Sequence, residues 1–318
     1  MASIATYHVE DPMAPLAMKE LSAPQHGSPA TGEAIRLAAR SGAYTTPTSG
    51  IAATYVQANL IVLPNRYASD FRLLCKRNPV PCPLLAESRT VGSWEQLTSN
   101  IPGVGGERLA NDLDLRRDIP RYMVYQDGTQ VRSHCADVCK DWSEDHSAFL
   151  IGCSFSFEAA LADAGLVPAH MAYNRNVPMY ATTIPLCSAG VFKQSTYVVS
   201  MRFYRRKDVE RVRDITRPYV ATHGEPLDWD WCALERLGIQ DLDKPEYGDS
   251  PVGSDGLPVR RSAQSFSNDG DDLVPVFWGC GVTPQQAVMQ SGLKGTVIGH
   301  APGHMLVLDL RDWDILAS

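Results

Sequence analysis

The most reactive side chains of this sequence lie where apolar runs end. The run 149–151 stops at a glycine and is followed by Cys153, Ser154, Ser156 and Glu158. A buried strand that ends this way leaves room for the chain to turn. A serine hydroxyl can then cap the next helix while unpaired N–H groups face an anion. We therefore predict a pocket for a small acid at this turn, with Ser154 and Ser156 as substrate-binding residues.

Removal of water from a small acid needs a group that holds the carboxylate, a base, and an acid that lets hydroxide leave as water. Arg175 with Asn176 is the predicted carboxylate anchor, because a planar guanidinium binds a carboxylate through two parallel hydrogen bonds. The alternative is that Arg175 pairs with a structural carboxylate such as Glu158.

Glu158 and His304 are the predicted proton-transfer residues. Glu158 lies in the first turn of the predicted helix, where it would move a proton or position Arg175; the alternative is a capping box, which its spacing from the serines fits imperfectly. His304 ends a Pro-Gly turn that starts at His300, and histidine titrates near neutrality. The alternative for His304, and equally for His223, is a histidine that ties a turn to backbone carbonyls.

Two cysteines are further catalytic candidates. Cys153 and Cys280 each lie where an apolar strand meets glycine, so either thiol could act as a nucleophile or as an acid. The alternative is that both pack as small hydrophobic residues.

The sequence from His134 to His146 invites a comparison with zinc sites. Its cysteines, Cys135 and Cys139, have the helical spacing that would place them with Trp142 on one face packed against the core, whereas established zinc sites use tighter pairs. We predict a helix over 135–147 and no metal.

Strand and helix patterns alternate along the chain, which predicts a mixed-sheet α/β fold in two closely packed parts. We assign residues 31–145 and 220–318 to a main part, 146–219 to a second part, and 1–30 to a mobile arm that hints at a homo-oligomer. Residues 88–118 and 249–272 are predicted surface loops. Further predicted elements are helices over 33–39, 66–76, 208–216 and 284–289, a strand or helix start over 55–63, a hairpin over 121–131, a helix from the serine turn through 164, and strands over 197–203, 273–278 and 305–310.

Composition excludes several classes of function. The chain has 318 residues and a formal net charge of −7, which argues against nucleic acid as a partner. Its one basic stretch, 202–213, is interrupted by Asp208 and Glu210 and is predicted to be a solvated helix face. No apolar run approaches the roughly 20 residues needed to cross a bilayer, and no glycine-rich nucleotide fingerprint occurs, so neither a membrane nor a cofactor is predicted. Eight dispersed cysteines favour a reducing cytosol.

Eight strings follow in order over residues 32–310: Tyr55–Leu60, Arg77–Pro79, Pro81–Pro83, Asp118–Tyr122, Phe149–Glu158, Arg175–Tyr180, Phe277–Gln285 and His300–His304. Together they resemble the hydro-lyase family related to D-glutamate cyclase. The resemblance implies a two-part α/β fold and, for the cyclase relatives, conversion of D-glutamate to 5-oxo-D-proline with loss of water. Asn59, Tyr180 and Thr283 lie within these strings and are added as substrate-binding candidates.

The chain departs from the family before Tyr55. The family usually reads Ala-Pro-Gly-Tyr there, whereas this chain has Ala52, Ala53 and Thr54. A loop without Pro and Gly has different allowed backbone angles, so a specialised substrate is expected if this loop touches the substrate.

We therefore predict a lyase that removes water from, or cyclises, a small carboxylate-bearing substrate. Arg175 and Asn176 hold the carboxylates while His304 or Glu158 deprotonates the ammonium. A hydrolase or transferase with a cysteine nucleophile, and a non-catalytic protein that binds a small acid, are the alternatives. The hypothesis requires Arg175, the turn from Cys153 to Glu158, and the segment carrying Cys280 and His304 to meet around one cavity.

Overall fold

A computed structural model describes residues 30–253, 255–259 and 272–316. The predicted arm 1–30 lies outside these residues apart from residue 30, and much of the predicted loop 249–272 lies outside them as well. The α/β class is confirmed, because helices flank two β-sheets.

The larger sheet has eight strands in the described residues. Seven follow the order β3-β2-β6-β1-β11-β4-β5, and β12 also pairs with β1. Their bounds are Tyr55–Pro64 (β1), Leu84–Ser88 (β2), Leu97–Ser99 (β3), Tyr122–Gln126 (β4), Thr129–Cys135 (β5), His146–Gly152 (β6), Thr296–His300 (β11) and Leu306–Arg311 (β12).

The smaller sheet has four strands among the described residues: Met179–Pro185 (β7), Thr196–Arg205 (β8), Asp228–Trp229 (β9) and Leu273–Gly279 (β10). They follow the order β7-β8-β10-β9. Every strand pairing in both sheets is antiparallel. The predicted chain division does not coincide with the division between sheets, since β6 lies inside the larger sheet and β10 inside the smaller one. The domain boundaries stay a prediction.

Seven α-helices occur in the described residues. They are Gly32–Arg40 (α1), Ala68–Arg77 (α2), Glu158–Asp163 (α3), Ala169–Ala172 (α4), Val209–Thr216 (α5), Ala233–Leu237 (α6) and Val282–Gln290 (α7). Four of them, α1, α2, α5 and α7, match helices predicted from periodicity. The predicted 121–131 hairpin is also present as β4 and β5.

The helix predicted over 135–147 is wrong. Residues 136–145 form turns, in which Cys139 N–H donates to the Asp137 carboxylate and Trp142 N–H donates to the Val138 carbonyl. Short acidic side chains that bond nearby backbone groups compete with helix formation. Cys139 is consequently exposed rather than packed on a helical face.

The stretch 88–118 was predicted to be a surface excursion, and this is also wrong for its leucines. Leu97, Leu109 and Leu115 are buried in a core cluster with Leu60 and Val62 of β1. The excursion covers one face of the larger sheet, while α2 and α7 cover the other. All ten residues of β1 are buried for this reason, which explains the apolar run 60–63 in the second half of that strand.

Helix α1 is attached to the larger sheet by Arg36. The Arg36 side chain is 1% exposed; its guanidinium donates to both carboxylate oxygens of Asp309, at 2.9 and 2.8 Å, and to the carbonyls of Val307 and Asn111. Since the guanidinium is buried, loss of this side chain would leave the Val307 and Asn111 carbonyls and the Asp309 carboxylate without this donor.

Among the described residues, we find no helix with the length and apolar character required to span a membrane.

We predict that Arg36→Met lowers the free energy of unfolding by about 2 kcal/mol, because it leaves the Val307 and Asn111 carbonyls and the partly exposed Asp309 carboxylate without their buried donor. Arg72→Met is the matched control: Arg72 pairs with Glu87 on the surface, and such pairs contribute about 0–1 kcal/mol. Urea denaturation monitored by circular dichroism measures both. Equal midpoints for the two variants would contradict the role assigned to Arg36.

Candidate active site

A buried ion pair joins the turn after β6 to the smaller sheet. Arg202 of β8 donates to Glu158 Oε1 from Nη2 at 2.6 Å and from Nε at 3.2 Å, and the two residues are 2% and 1% exposed. The rings of Phe157 and Trp278 lie 5.3 and 5.2 Å from the Arg202 guanidinium carbon. Arg202 had been predicted to begin a solvated helix face, and this prediction is wrong, because it is an inward-facing strand residue.

Two more side chains contact the same carboxylate. His170 Nε2 lies 3.0 Å from Glu158 Oε1, and Ser49 Oγ donates to Glu158 Oε2 at 2.8 Å. Ser49 Oγ is also 3.3 Å from His170 Nε2, and the Phe155 ring stacks on the His170 ring. Glu158 is thus surrounded by donors from a loop, helix α4 and strand β8.

These donors decide the protonation state of Glu158. Burial by itself raises its pKa, but electrostatic attraction and hydrogen bonds from His170 and Arg202 outweigh burial and lower the pKa to about 2. Glu158 is therefore a fixed carboxylate that holds other side chains in place, and a carboxylate of this kind is a weak base. It does not contact Arg175, so the alternative that those two residues pair is wrong.

Arg175 and Asn176 lie side by side at a small cavity. Its interior has room for about one water molecule, and its lining includes His170, Arg202 and Ser250. Arg175 N–H donates to the His170 carbonyl at 2.9 Å, Arg175 Nη2 donates to the Ser250 carbonyl at 3.1 Å, and Asn176 N–H donates to the Asp249 carboxylate at 2.7 Å. The backbone therefore holds both residues at the cavity.

Within the part of the chain that the structure describes, each of these two side chains has one buried polar atom without a hydrogen-bond partner. Arg175 Nε is a donor with no acceptor, and Asn176 Oδ1 is an acceptor with no donor. The Asn176 amide packs against Gly303, where an added Cβ would lie 2.6 Å from it. Buried polar groups are normally satisfied, so an unpaired donor and an unpaired acceptor on two consecutive residues that line one cavity make this cavity the candidate site.

The serines of the turn are used by the protein itself. Ser154 Oγ accepts from Arg202 Nη2 at 3.1 Å, and Ser156 Oγ accepts from Gln57 N–H at 3.0 Å. Neither caps a helix, because a short 3-10 turn over Ser154–Phe157 precedes α3. The predicted anion site at this turn is not formed by these hydroxyls.

Three other substrate-binding candidates also bond within the protein. Asn59 Nδ2 donates to the carbonyls of Ile151 and Gly152, Thr283 Oγ1 bonds both backbone groups of Val198, and Tyr180 OH donates to the Leu242 carbonyl at 2.6 Å. These bonds join elements of the fold. Asn59 requires Gly281 beside it, since a Cβ at Gly281 would lie 1.9 Å from Asn59 Nδ2.

Cys153 and Cys280 belong to one apolar cluster between the two sheets, with Val198 and Met305. Burial raises the pKa of the Cys280 thiol to about 11 and raises the pKa of Cys153 further. Both therefore remain thiols at neutral pH, which argues against a thiolate nucleophile at either position.

His304 lies on the neighbouring turn. Its Nδ1 lies 2.9 Å from the Pro302 carbonyl, its ring stands edge-on to His134 at 5.9 Å, and burial lowers its pKa. His300 is fully buried with Nε2 unpaired, and burial lowers its pKa to about 4. The contact with Pro302 fits the predicted alternative in which a histidine ties a turn to a carbonyl.

The three predicted pieces of the site are neighbours without lining one cavity. Val177, which follows Asn176, and Met305, which follows His304, pack with Cys153 and Cys280. The cavity at Arg175, however, is not lined by either cysteine or by His304. Within the described residues no three metal-binding side chains cluster, and this includes the segment from His134 to His146.

The sequence interpretation missed Arg202, His170 and Ser49. Arg202 carried a signal, because a charged residue inside the apolar strand run 197–203 is seldom buried without a partner. His170 and Ser49 lie in irregular segments whose approach to Glu158 depends on the tertiary fold.

Comparisons with known proteins agree on one family. A family model described as D-glutamate cyclase matches residues 147–309. Relatives named "Putative hydro-lyase" include one from Schizosaccharomyces pombe, 44% identical over 84% of this chain and 80% of the relative. Another, from Rubrobacter xylanophilus, is 43% identical over 90% of this chain and 98% of the relative. A nitrogen repressor-like protein from Methanococcus jannaschii covers 91% of this chain and 98% of its own at 11% identity, with a TM-score of 0.31, too weak to indicate fold or function.

Two buried histidines give the protein a testable acid sensitivity. Burial lowers the pKa of His223, like that of His300, to about 4 from an ordinary value of 6.5. The unfolded chain therefore binds protons first, so their contribution to stability is present above pH 6.5 and is lost as the pH falls toward 4. We expect the free energy of unfolding to drop by about 2 kcal/mol per histidine between pH 7 and about pH 5.

Urea unfolding across this pH range measures the drop, and His300→Gln should remove about half of it. His134→Gln, at an exposed position, is the control for loss of an imidazole. If the free energy of unfolding of His300→Gln changed with pH as steeply as that of the wild type, the lowered pKa of His300 would be contradicted.

Proposed function

Because the chain belongs to the D-glutamate cyclase family, we propose that it is a lyase that removes water from a small carboxylate-bearing substrate by ring closure, and that its reaction is conversion of D-glutamate to 5-oxo-D-proline. The cytosolic location and the homo-oligomeric state stay predictions.

One observation carries the assignment of the substrate site to Arg175 and Asn176. Arg175 Nε and Asn176 Oδ1 are a buried donor and a buried acceptor without partners at the same cavity. An α-amino acid has a carboxylate that accepts hydrogen bonds and an ammonium that donates them. Because the cavity itself has room for only about one water molecule, the charged groups of the substrate would bind at its opening. A carboxylate at Arg175 and an ammonium at Asn176 would there satisfy the two unpaired atoms, and the charge on the guanidinium strengthens its bond.

Ring closure uses groups that the substrate already carries. The amine nitrogen attacks the carbon of the side-chain carboxyl, a carbon–nitrogen bond forms, and one carboxyl oxygen leaves as water. Binding both ends of one molecule in reacting geometry lowers the barrier, because the two groups no longer have to find each other. No electrons are transferred, so the reaction itself requires no redox cofactor.

The rival cysteine-nucleophile mechanism receives less support. Burial raises the pKa of both Cys153 and Cys280, and attack by sulfur needs the thiolate. The cysteine mechanism predicts that alkylation of the thiols abolishes activity and that mass spectrometry of the unmodified enzyme finds an acyl-enzyme; ring closure predicts no acyl-enzyme.

The direct test is incubation of the protein with D-glutamate, L-glutamate and a panel of hydroxy acids, followed by mass spectrometry. We expect D-glutamate to lose the mass of one water, and cyclisation to be seen as loss of the primary amine. Return of every acid unchanged would overturn the lyase assignment and favour a binding protein.

We expect Arg175→Gln to lower kcat/KM by about thirtyfold, since a hydrogen bond to a charged group contributes about 2 kcal/mol. Arg72→Gln is the matched control, because Arg72 lies on the surface and bonds Glu87. Steady-state kinetics of both variants measures the change. Unaltered kinetics in Arg175→Gln would place the carboxylate elsewhere.

A further inference from the structure

His170 lies closer to the proposed substrate site than any proton-transfer residue expected from the sequence. It lines the cavity at Arg175 and Asn176, and its backbone carbonyl accepts the Arg175 N–H at 2.9 Å. His304 does not line that cavity, and Glu158 is already bonded to three side chains. We propose that His170 is the general base of the ring closure, with Glu158 and Arg202 as positioning residues. This inference rests on the proposed function.

The contact with Glu158 fixes which nitrogen of His170 is available. His170 Nε2 lies 3.0 Å from Glu158 Oε1, so an Nε2–H donated to the carboxylate leaves the lone pair on Nδ1. Since Nε2 is turned toward Glu158 and Ser49, Nδ1 is the nitrogen turned away from the carboxylate. A carboxylate that orients an imidazole in this way sets its tautomer and stabilises the imidazolium that forms when a proton arrives.

Arg202 bonds the same carboxylate oxygen as His170. Its Nη2 lies 2.6 Å from Glu158 Oε1, so Glu158 already has a buried cationic partner. The carboxylate is therefore held in place by Arg202 while it orients the His170 ring.

The proton balance of the reaction closes without any other reactant. His170 Nδ1 takes one proton from the substrate ammonium, and the resulting amine attacks the side-chain carboxyl carbon. The nitrogen releases a second proton to the departing oxygen, and the imidazolium returns the first proton to the same oxygen. One water leaves, the new ring keeps one N–H, and His170 ends neutral.

His170→Ala tests the base directly. We expect kcat to fall by about a hundredfold to ten-thousandfold, as is usual for loss of a general base, with KM for D-glutamate nearly unchanged. Added imidazole should restore part of kcat, which a purely structural role would not allow. His146→Ala is the matched control: His146 is a buried histidine whose ring bonds Ser143 N–H and contacts the Thr296 carbonyl. A His170→Ala enzyme with wild-type kcat would overturn the proposal.

Glu158→Gln tests the positioning residues. The acid limb of the kcat profile should move to lower pH, because a neutral amide no longer stabilises the imidazolium. If this variant fails to fold with Arg202 unpaired, the double variant Glu158→Gln with Arg202→Met removes both charges and serves instead. An acid limb that stays in place would refute the role of Glu158.

A spectroscopic measurement separates this proposal from the proposed function. Nitrogen NMR of isotope-labelled histidine, with the His170 signal assigned by its loss in His170→Ala, should show the proton on Nε2 and none on Nδ1 at neutral pH. If the wild-type protein converts none of the tested acids but this tautomer is present, the proposed function is wrong, whereas the proposed geometry of His170 as a base is supported. A proton on Nδ1 at neutral pH would refute the base whatever the substrate.

Discussion

The structure depends on the ion pair between Glu158 and Arg202. It lies where the turn after β6 of the larger sheet meets β8 of the smaller sheet, and both side chains are almost completely buried. Neither charge could remain there alone, since an unpaired buried ion is strongly destabilising. The two sheets are thus held in one relative position by a contact that tolerates little displacement.

Helix α4 and the loop before β1 are arranged around the same pair. His170 and Ser49 contact the Glu158 carboxylate in addition to Arg202. The backbone N–H of Arg175 in turn donates to the His170 carbonyl, which places Arg175 next to this group. The cavity proposed as the substrate site lies beside this fixed carboxylate and the guanidinium groups of Arg175 and Arg202. The side chains that hold the two sheets together are therefore also those on which the proposed binding depends, as is common where charges are buried at functional sites.

Much of the fold was readable from the sequence because its signals are local. The apolar run 60–63 of β1 and the helical spacing of α2 predict elements without reference to the rest of the chain. The helix predicted over 135–147 shows the limit of local signals. The helical spacing of two cysteines favoured a helix, but the Asp137 side chain bonds the local backbone and favours turns instead.

The candidate site was readable only in part. Arg175, Asn176 and Glu158 stood out by residue type, and the structure places the first two at one cavity and the third at the ion pair beside it. Ser154, Ser156, Asn59, Thr283 and Tyr180 looked similar in sequence, but which hydroxyl or amide already has a backbone partner is decided by residues distant in the chain. His170 could be recognised as a candidate only from its contact with Glu158 in the folded protein.

The close approach of Gly281 to Asn59 has a consequence for how variants of this protein are interpreted. Any side chain at residue 281 would displace the Asn59 amide and release the carbonyls of Ile151 and Gly152 at the end of β6, just before the turn that carries Glu158. A variant there would lose turnover although residue 281 has no functional group of its own. If a variant at residue 281 is inactive, this result alone therefore does not show that the residue takes part in the chemistry.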